Sequence, residues 1–143
     1  MKIERKTIRT LDEYIKLIRL YPSQDYYYRG HADSSWKLTP SIARVFDGVT
    51  TLSVGQDLSL KNLEHAIISR FKRLAVPYLK TIPSKPIDWL VIGQHYGLPT
   101  RLLDWTENPL VALFFAIVEE RECESVVWII RPSHYGNELI SLE

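Results

Sequence analysis

The sequence predicts an α+β fold in which a small sheet is covered by helices, and three observations carry that reading. Apolar residues recur at helical spacing in five separate segments. Two short runs, DYYYRG at 25–30 and SVVWII at 125–130, have the aromatic and β-branched content of strands and too few residues for a useful helix. Helices therefore outnumber strands and separate them, the order expected when helices lie over a small sheet.

Each element has its own signal. Thr10 followed by Glu13 is a capping-box pattern, and Leu11, Tyr14, Ile15 and Ile18 then mark a helix over 11–20 that Tyr21-Pro22 stops. The strand over 25–30 ends at Gly30. Pro40 suits a first helical position, and Ile42, Val45 and Phe46 share a face, giving a short helix over 40–46. Residues 47–57, DGVTTLSVGQD, read as an irregular loop. Over 58–74, Leu60, Leu63, Ile67, Ile68, Phe71 and Leu74 form one apolar stripe, with Lys61, Glu64, Arg70 and Lys72 mostly off it. A helix over 87–96 ends at Gly97, and Asn108-Pro109 starts another carried by Leu110, Val111, Leu113, Phe114 and Ile117. Ala112, Phe115 and Ile68 are expected in one core with Val127 and Ile129.

Composition bounds the function classes. With 143 residues and 45% hydrophobic content, the chain is read as one domain, 1–143. Eighteen basic against 17 acidic residues leave a net charge of +1, which removes a whole-chain electrostatic case for nucleic acid or an anionic membrane. One cysteine, Cys123, makes no internal disulfide, and no apolar run approaches 18 residues, so the expectation is a soluble cytoplasmic protein with no membrane contact. If the closing Leu142-Glu143 is a cloning remnant, the natural chain continues past it.

Residues 94–108, QHYGLPTRLLDWTEN, place polar groups between two apolar segments. A helix start exposes unpaired N–H groups and favours anions, so Asp104, Thr106 and Asn108 stand where an anionic ligand fits; equally, Thr106 or Asn108 caps the helix and Asp104 pairs with Arg101. His95, on a last helical turn, is read with equal weight as structural or functional, and no histidine spacing indicates a metal. Arg29 follows three tyrosines at a strand end. There a guanidinium either grips a phosphate or carboxylate with its planar fork or neutralises an aspartate such as Asp104, and Gly30 permits a close backbone approach.

The blocks YYYRGHADSSWKLTPSIAR, LEHAIISRFKRLA and DWLVIGQHYGLPTRLLDWTENPLVALFFA, spanning about 26–116, resemble the FRG domain of bacteria and phages, with Tyr28 as the aromatic of the aromatic-Arg-Gly motif. That family implies a defence-type or toxin-like setting. A weaker resemblance, to ADP-ribosyltransferases of the Arg-Ser-Glu class, sets Tyr28-Arg29-Gly30 against their first strand motif and Asp104-Trp105-Thr106 against their Ser-Thr-Ser piece, ahead of the apolar 111–116. It implies an ADP-ribosyltransferase-like fold, NAD as cofactor, and NAD-consuming transferase or glycohydrolase chemistry; since no glutamate after the apolar helix fits the catalytic place, either that carboxylate lies beyond Glu143, or it comes from elsewhere, or the chemistry is a different one. The candidate catalytic residues are then Arg29, His95, Asp104 and Thr106. Those for cofactor binding are Tyr28, Arg29, Gly30, Thr100, Arg101, Trp105 and Thr106. Two alternatives stand beside it: a non-catalytic module for a nucleotide-like or other anionic ligand, and a nucleic-acid or nuclease module using Lys61, Arg70, Lys72, Arg73 and Lys80. The target is a nucleic acid or protein. Glu119 to Glu124 read as a solvated face.

Overall fold

The structure is a computed structural model describing residues 3–47, 59–132 and 138–142. In chain order the elements are β1 (Ile3–Lys6), α1 (Leu11–Ile18), β2 (Tyr27–His31), α2 (Ser41–Asp47), α3 (Leu60–Ala75), a 3-10 turn (Val76–Tyr78), α4 (Pro86–His95), α5 (Pro109–Ile117), β3 (Val126–Arg131) and β4 (Glu138–Leu142). The α+β class is as expected. The expected loop at 47–57 lies, apart from Asp47 at the end of α2, outside the described residues. Two compact units emerge, Met1–Lys37 with Asp104–Glu143, and Leu38–Leu103.

In the first unit the strands are ordered β1-β4-β3-β2, with β1 parallel to β4 and the other pairs antiparallel. The outer edge of β2 is covered in turn. Tyr28 and Thr106 exchange both backbone hydrogen bonds, Tyr28 N–H donating at 2.7 Å and Thr106 N–H at 2.9 Å. Side chains alternate across a strand, so one face of β2 and β3 presents Tyr28, Gly30, Val127 and Ile129, and the other Arg29, His31, Val126 and Trp128. The first face joins Tyr14, Tyr21, Ala112 and Ala116 in the core.

Helix α1 starts as its capping box predicts. Glu13 N–H donates to Thr10 Oγ1, while the Glu13 carboxylate accepts from the Arg9 N–H, one residue before the cap. Tyr14 of α1 then donates its hydroxyl to the Pro109 carbonyl at 2.7 Å, tying α1 to the start of α5.

Helix α5 meets β2 at Gly30. A Cβ there would lie 1.9 Å from the Ala112 oxygen and 2.7 Å from the Ala116 nitrogen, so a residue without a side chain is required for α5 to ride on the strand. The expected burial of Ala112 with Val127 and Ile129 is found, and that of Phe115 is overturned. The buried residues of α5 are Ala112 and Ala116, and Phe115 is 58% exposed. An apolar run with little difference between its faces points no particular face inward, and the close approach selects the small residues.

The second unit packs α3 on α4. Ser59 caps α3 by accepting from Asn62 N–H at 3.2 Å. Ile68 is buried here rather than with Val127 and Ile129, and its Cδ1 would lie 3.3 Å from a Cβ on Gly93 of α4. Phe71 and Trp89 meet edge to face, with Lys72 over the Trp89 ring. Gly97, at φ 83°, ends α4: its N–H donates to Gln94 O and that of Leu98 to Gly93 O, the paired bonds of a Schellman terminus.

Candidate functional site

The polar face of the sheet in the first unit is the place where chemistry-bearing side chains gather. Arg29 and Trp128 are register partners on β2 and β3. The Arg29 guanidinium donates through Nη1 to the Asp104 main-chain oxygen at 2.5 Å and through Nε to His31 Nε2 at 3.0 Å. His31 is 8% exposed, and its other nitrogen, Nδ1, faces the Trp128 Nε1–H at 3.3 Å. The Trp36 ring lies 6.1 Å from the His31 ring and is 41% exposed, and the Arg121 guanidinium sits 4.8 Å above it. Ser34 N–H donates to the Glu124 oxygen at 2.7 Å, so the 32–36 loop that carries Trp36 is fastened beside β3.

Six of the residues singled out in the sequence meet in this unit: Tyr28, Arg29, Gly30, Asp104, Trp105 and Thr106. Their positions differ in kind. Tyr28 is fully buried, donates its hydroxyl to the Tyr21 carbonyl, and has its phenol pKa raised by burial and then by Tyr26, so its side chain belongs to the core. Gly30 faces the backbone of α5. Arg29 reaches Asp104 through the main chain, a bond that does not depend on the aspartate side chain. Thr106 pairs with β2, and its Oγ1 accepts from Asn108 N–H at 3.0 Å. Asn108 is the cap of α5, its Oδ1 accepting from Leu110 and Val111, so the foremost N–H groups of this helix are met by its own cap. Trp105 is half-buried and Asp104 exposed.

Thr100, Arg101 and His95 belong to the second unit. Thr100 is fully buried; its hydroxyl donates to Gln94 Oε1 and accepts from Leu102 N–H, and its N–H donates to Ser41 Oγ at 3.0 Å. Arg101 forms an ion pair with Glu64 of α3, its Nε at 2.6 Å from Oε2 and its N–H at 2.9 Å from Oε1. Burial pushes the Glu64 carboxyl up, but the hydrogen bonds and charge of Arg101 outweigh it, so the group lies below the ordinary carboxylate range. This network fixes the 100–103 segment. His95 is exposed and touches Tyr96 edge to face. Among the described residues no group of three His, Cys, Asp or Glu side chains is placed to hold a metal ion.

His31, Trp36, Arg121 and Trp128 were missed as site residues. His31 and Trp36 lie inside the block YYYRGHADSSW, and the period-2 spacing of Arg29 and His31 was the available signal. Trp128 and Arg121 had none, because strand register and loop return bring them there.

The family model described as FRG domain matches residues 24–125, well over half of the chain. No curated protein and no solved structure matches, so the likeness to ADP-ribosyltransferases gains no support from either comparison. With the aromatic-Arg-Gly stretch forming β2 and the 104–108 segment paired to it as one unit, the chain belongs to the FRG domain family.

Proposed function

We propose that this FRG domain binds a nucleotide-type ligand, NAD being the first to test, on the face of the first unit that carries Arg29, His31, Trp36 and Trp128. One observation carries the reading: a guanidinium held in place by the Asp104 carbonyl and an exposed indole flank the same buried imidazole. A nucleotide offers the two matching parts, a phosphate for the planar donor fork and a base for stacking on an indole. NAD-consuming transfer, with a toxin or phage-defence role, is the catalytic form of the same proposal, in which Asp104 and Thr106 lie beside the nicotinamide ribose.

The test is thermal unfolding with NAD, ADP-ribose, ATP and AMP, with nicotinamide release followed in parallel. A ligand at 100 times its Kd stabilises the folded state by about 2.7 kcal/mol. Arg29→Lys should remove that gain while the unliganded protein stays folded, because lysine keeps the charge and lacks the fork. No stabilisation by any nucleotide overturns the proposal. Nicotinamide release supports the catalytic form, and RNA binding that falls steeply with salt moves the function to the basic residues of α3.

A further inference from the structure

Helix α5 with its C-cap is an unbroken apolar run, Pro109 to Val118, and carries no polar side chain on any face. A helix of that kind is normally covered on every side. Here Ala112 and Ala116 lie on β2 and Leu113 packs on the core, while Leu110, Val111, Phe114, Phe115, Ile117 and Val118 are 38 to 58% exposed. Successive helical positions turn by about 100°, so Leu110, Phe114, Ile117 and Val118 form one strip along the side turned from β2. The six exposed residues together leave on the order of 500 Å² of apolar surface in water, as much as the largest patch of a typical monomer, which is often functional.

Charge decides what covers it. Glu107 precedes the helix and Glu119 and Glu120 follow it, all exposed, and from Asp104 to Glu124 six acidic residues stand against one basic, Arg121, which is itself paired with Glu119. A second α5 laid on this strip would set acid against acid in either direction: Glu107 beside Glu119 and Glu120 when antiparallel, and each glutamate beside its own copy when parallel. An anionic lipid surface meets the same repulsion. We propose that the outer strip of α5 docks an amphipathic helix of another protein, one whose apolar stripe is bordered by lysine or arginine. Helix α5 is about 13 Å long, which matches partner anchors at i, i+3 or i+4, and i+7. The apolar strip supplies the affinity, and the glutamates at its two ends select the basic partner. This surface is independent of the nucleotide reading, since it uses none of the residues on the Arg29 face.

The experiment is calorimetric titration of the full chain with two synthetic peptides of about 18 residues, long enough to hold a helix. One carries leucines on one helical face and lysines on the other, and its twin has glutamate in place of lysine. The lysine peptide should bind at least tenfold more tightly than its twin, with an affinity that falls as salt rises. Phe114→Ser and Ile117→Ser should each weaken that binding at least tenfold, and Glu107→Gln combined with Glu120→Gln should narrow the gap between the two peptides. The serine variants should stay folded, because both side chains face solvent; if one unfolds the other carries the test, and unfolding of both would show the strip to be covered already and overturns the proposal. Equal binding of the two peptides, binding unchanged in both serine variants, or no binding at all overturns it as well. Sedimentation of the chain alone and flotation with phosphatidylglycerol vesicles test the other occupants. Self-association or vesicle binding that Phe114→Ser abolishes overturns the proposal in favour of a second copy or a lipid surface.

Discussion

At Gly30 even a methyl group has no room, because the atoms it would meet belong to the backbone of α5 rather than to a side chain that can turn away. Gly30→Ala should therefore destabilise the first unit by about 3 kcal/mol or more, at the upper end for overpacked sites, measured by urea unfolding; a loss under about 1 kcal/mol would mean that α5 does not lie on β2. Arg101 gives a second case. Arg101→Ala leaves the buried Glu64 carboxylate without its counter-charge and should cost about 1 to 3 kcal/mol. The same pair sets an acid limit. Glu64 is depressed in the folded state, so its contribution is full above the ordinary carboxylate pKa and is lost as pH falls through the lower folded value. Wild type should lose stability across that acid window, and Arg101→Ala should lose less there, since the shift it would lose is already gone; parallel pH profiles would refute this assignment.

Helix α5 shows what can be read from one sequence and what cannot. Its start at Asn108-Pro109 was legible because capping chemistry is local. Its facing was not, because Pro109–Ile117 is apolar on all sides and the deciding neighbour, Gly30, is remote in the chain. Phe115→Ser should accordingly change stability by no more than about 0.5 kcal/mol, whereas Ala112→Leu should cost about 1 to 3 kcal/mol or more; the reverse order, measured by chemical denaturation, would restore the facing expected from the sequence. The other elements divide in the same way. Helices α1, α3 and α4 and strands β2 and β3 were legible from periodicity and end signals. Strand β1, the charged IERK, and β4 were not, because β1 is a strand by pairing with β4, and β4 by pairing with β1 and β3. In the site, Arg29 and the 104–106 segment were legible as polar groups at element ends, while the neighbourhood of His31 and Trp128 follows from the β2–β3 register.

Over the whole molecule, stability should be unevenly spread. The amides of Tyr28 and Ile129 lie in strands paired on both sides and buried at 0% exposure, so they should be among the slowest to exchange with solvent, and those of the second unit's 3-10 turn, where Tyr78 is 87% exposed, among the fastest. Hydrogen-exchange mass spectrometry reads this directly. The pairing of Ile3 with Leu139 has a further meaning for how the fold is reached. The second unit is one continuous stretch, Leu38–Leu103, whereas the first is closed by residues from both ends of the sequence. On the ribosome, where synthesis runs at about 5–20 residues per second, the second unit is complete while β1, α1 and β2 still wait for β3 and β4. Contacts between remote segments also form slowly. During that interval the half-finished sheet exposes the edge of β2 and the tyrosines of its core face, and this is the window in which a chaperone has the most to shield.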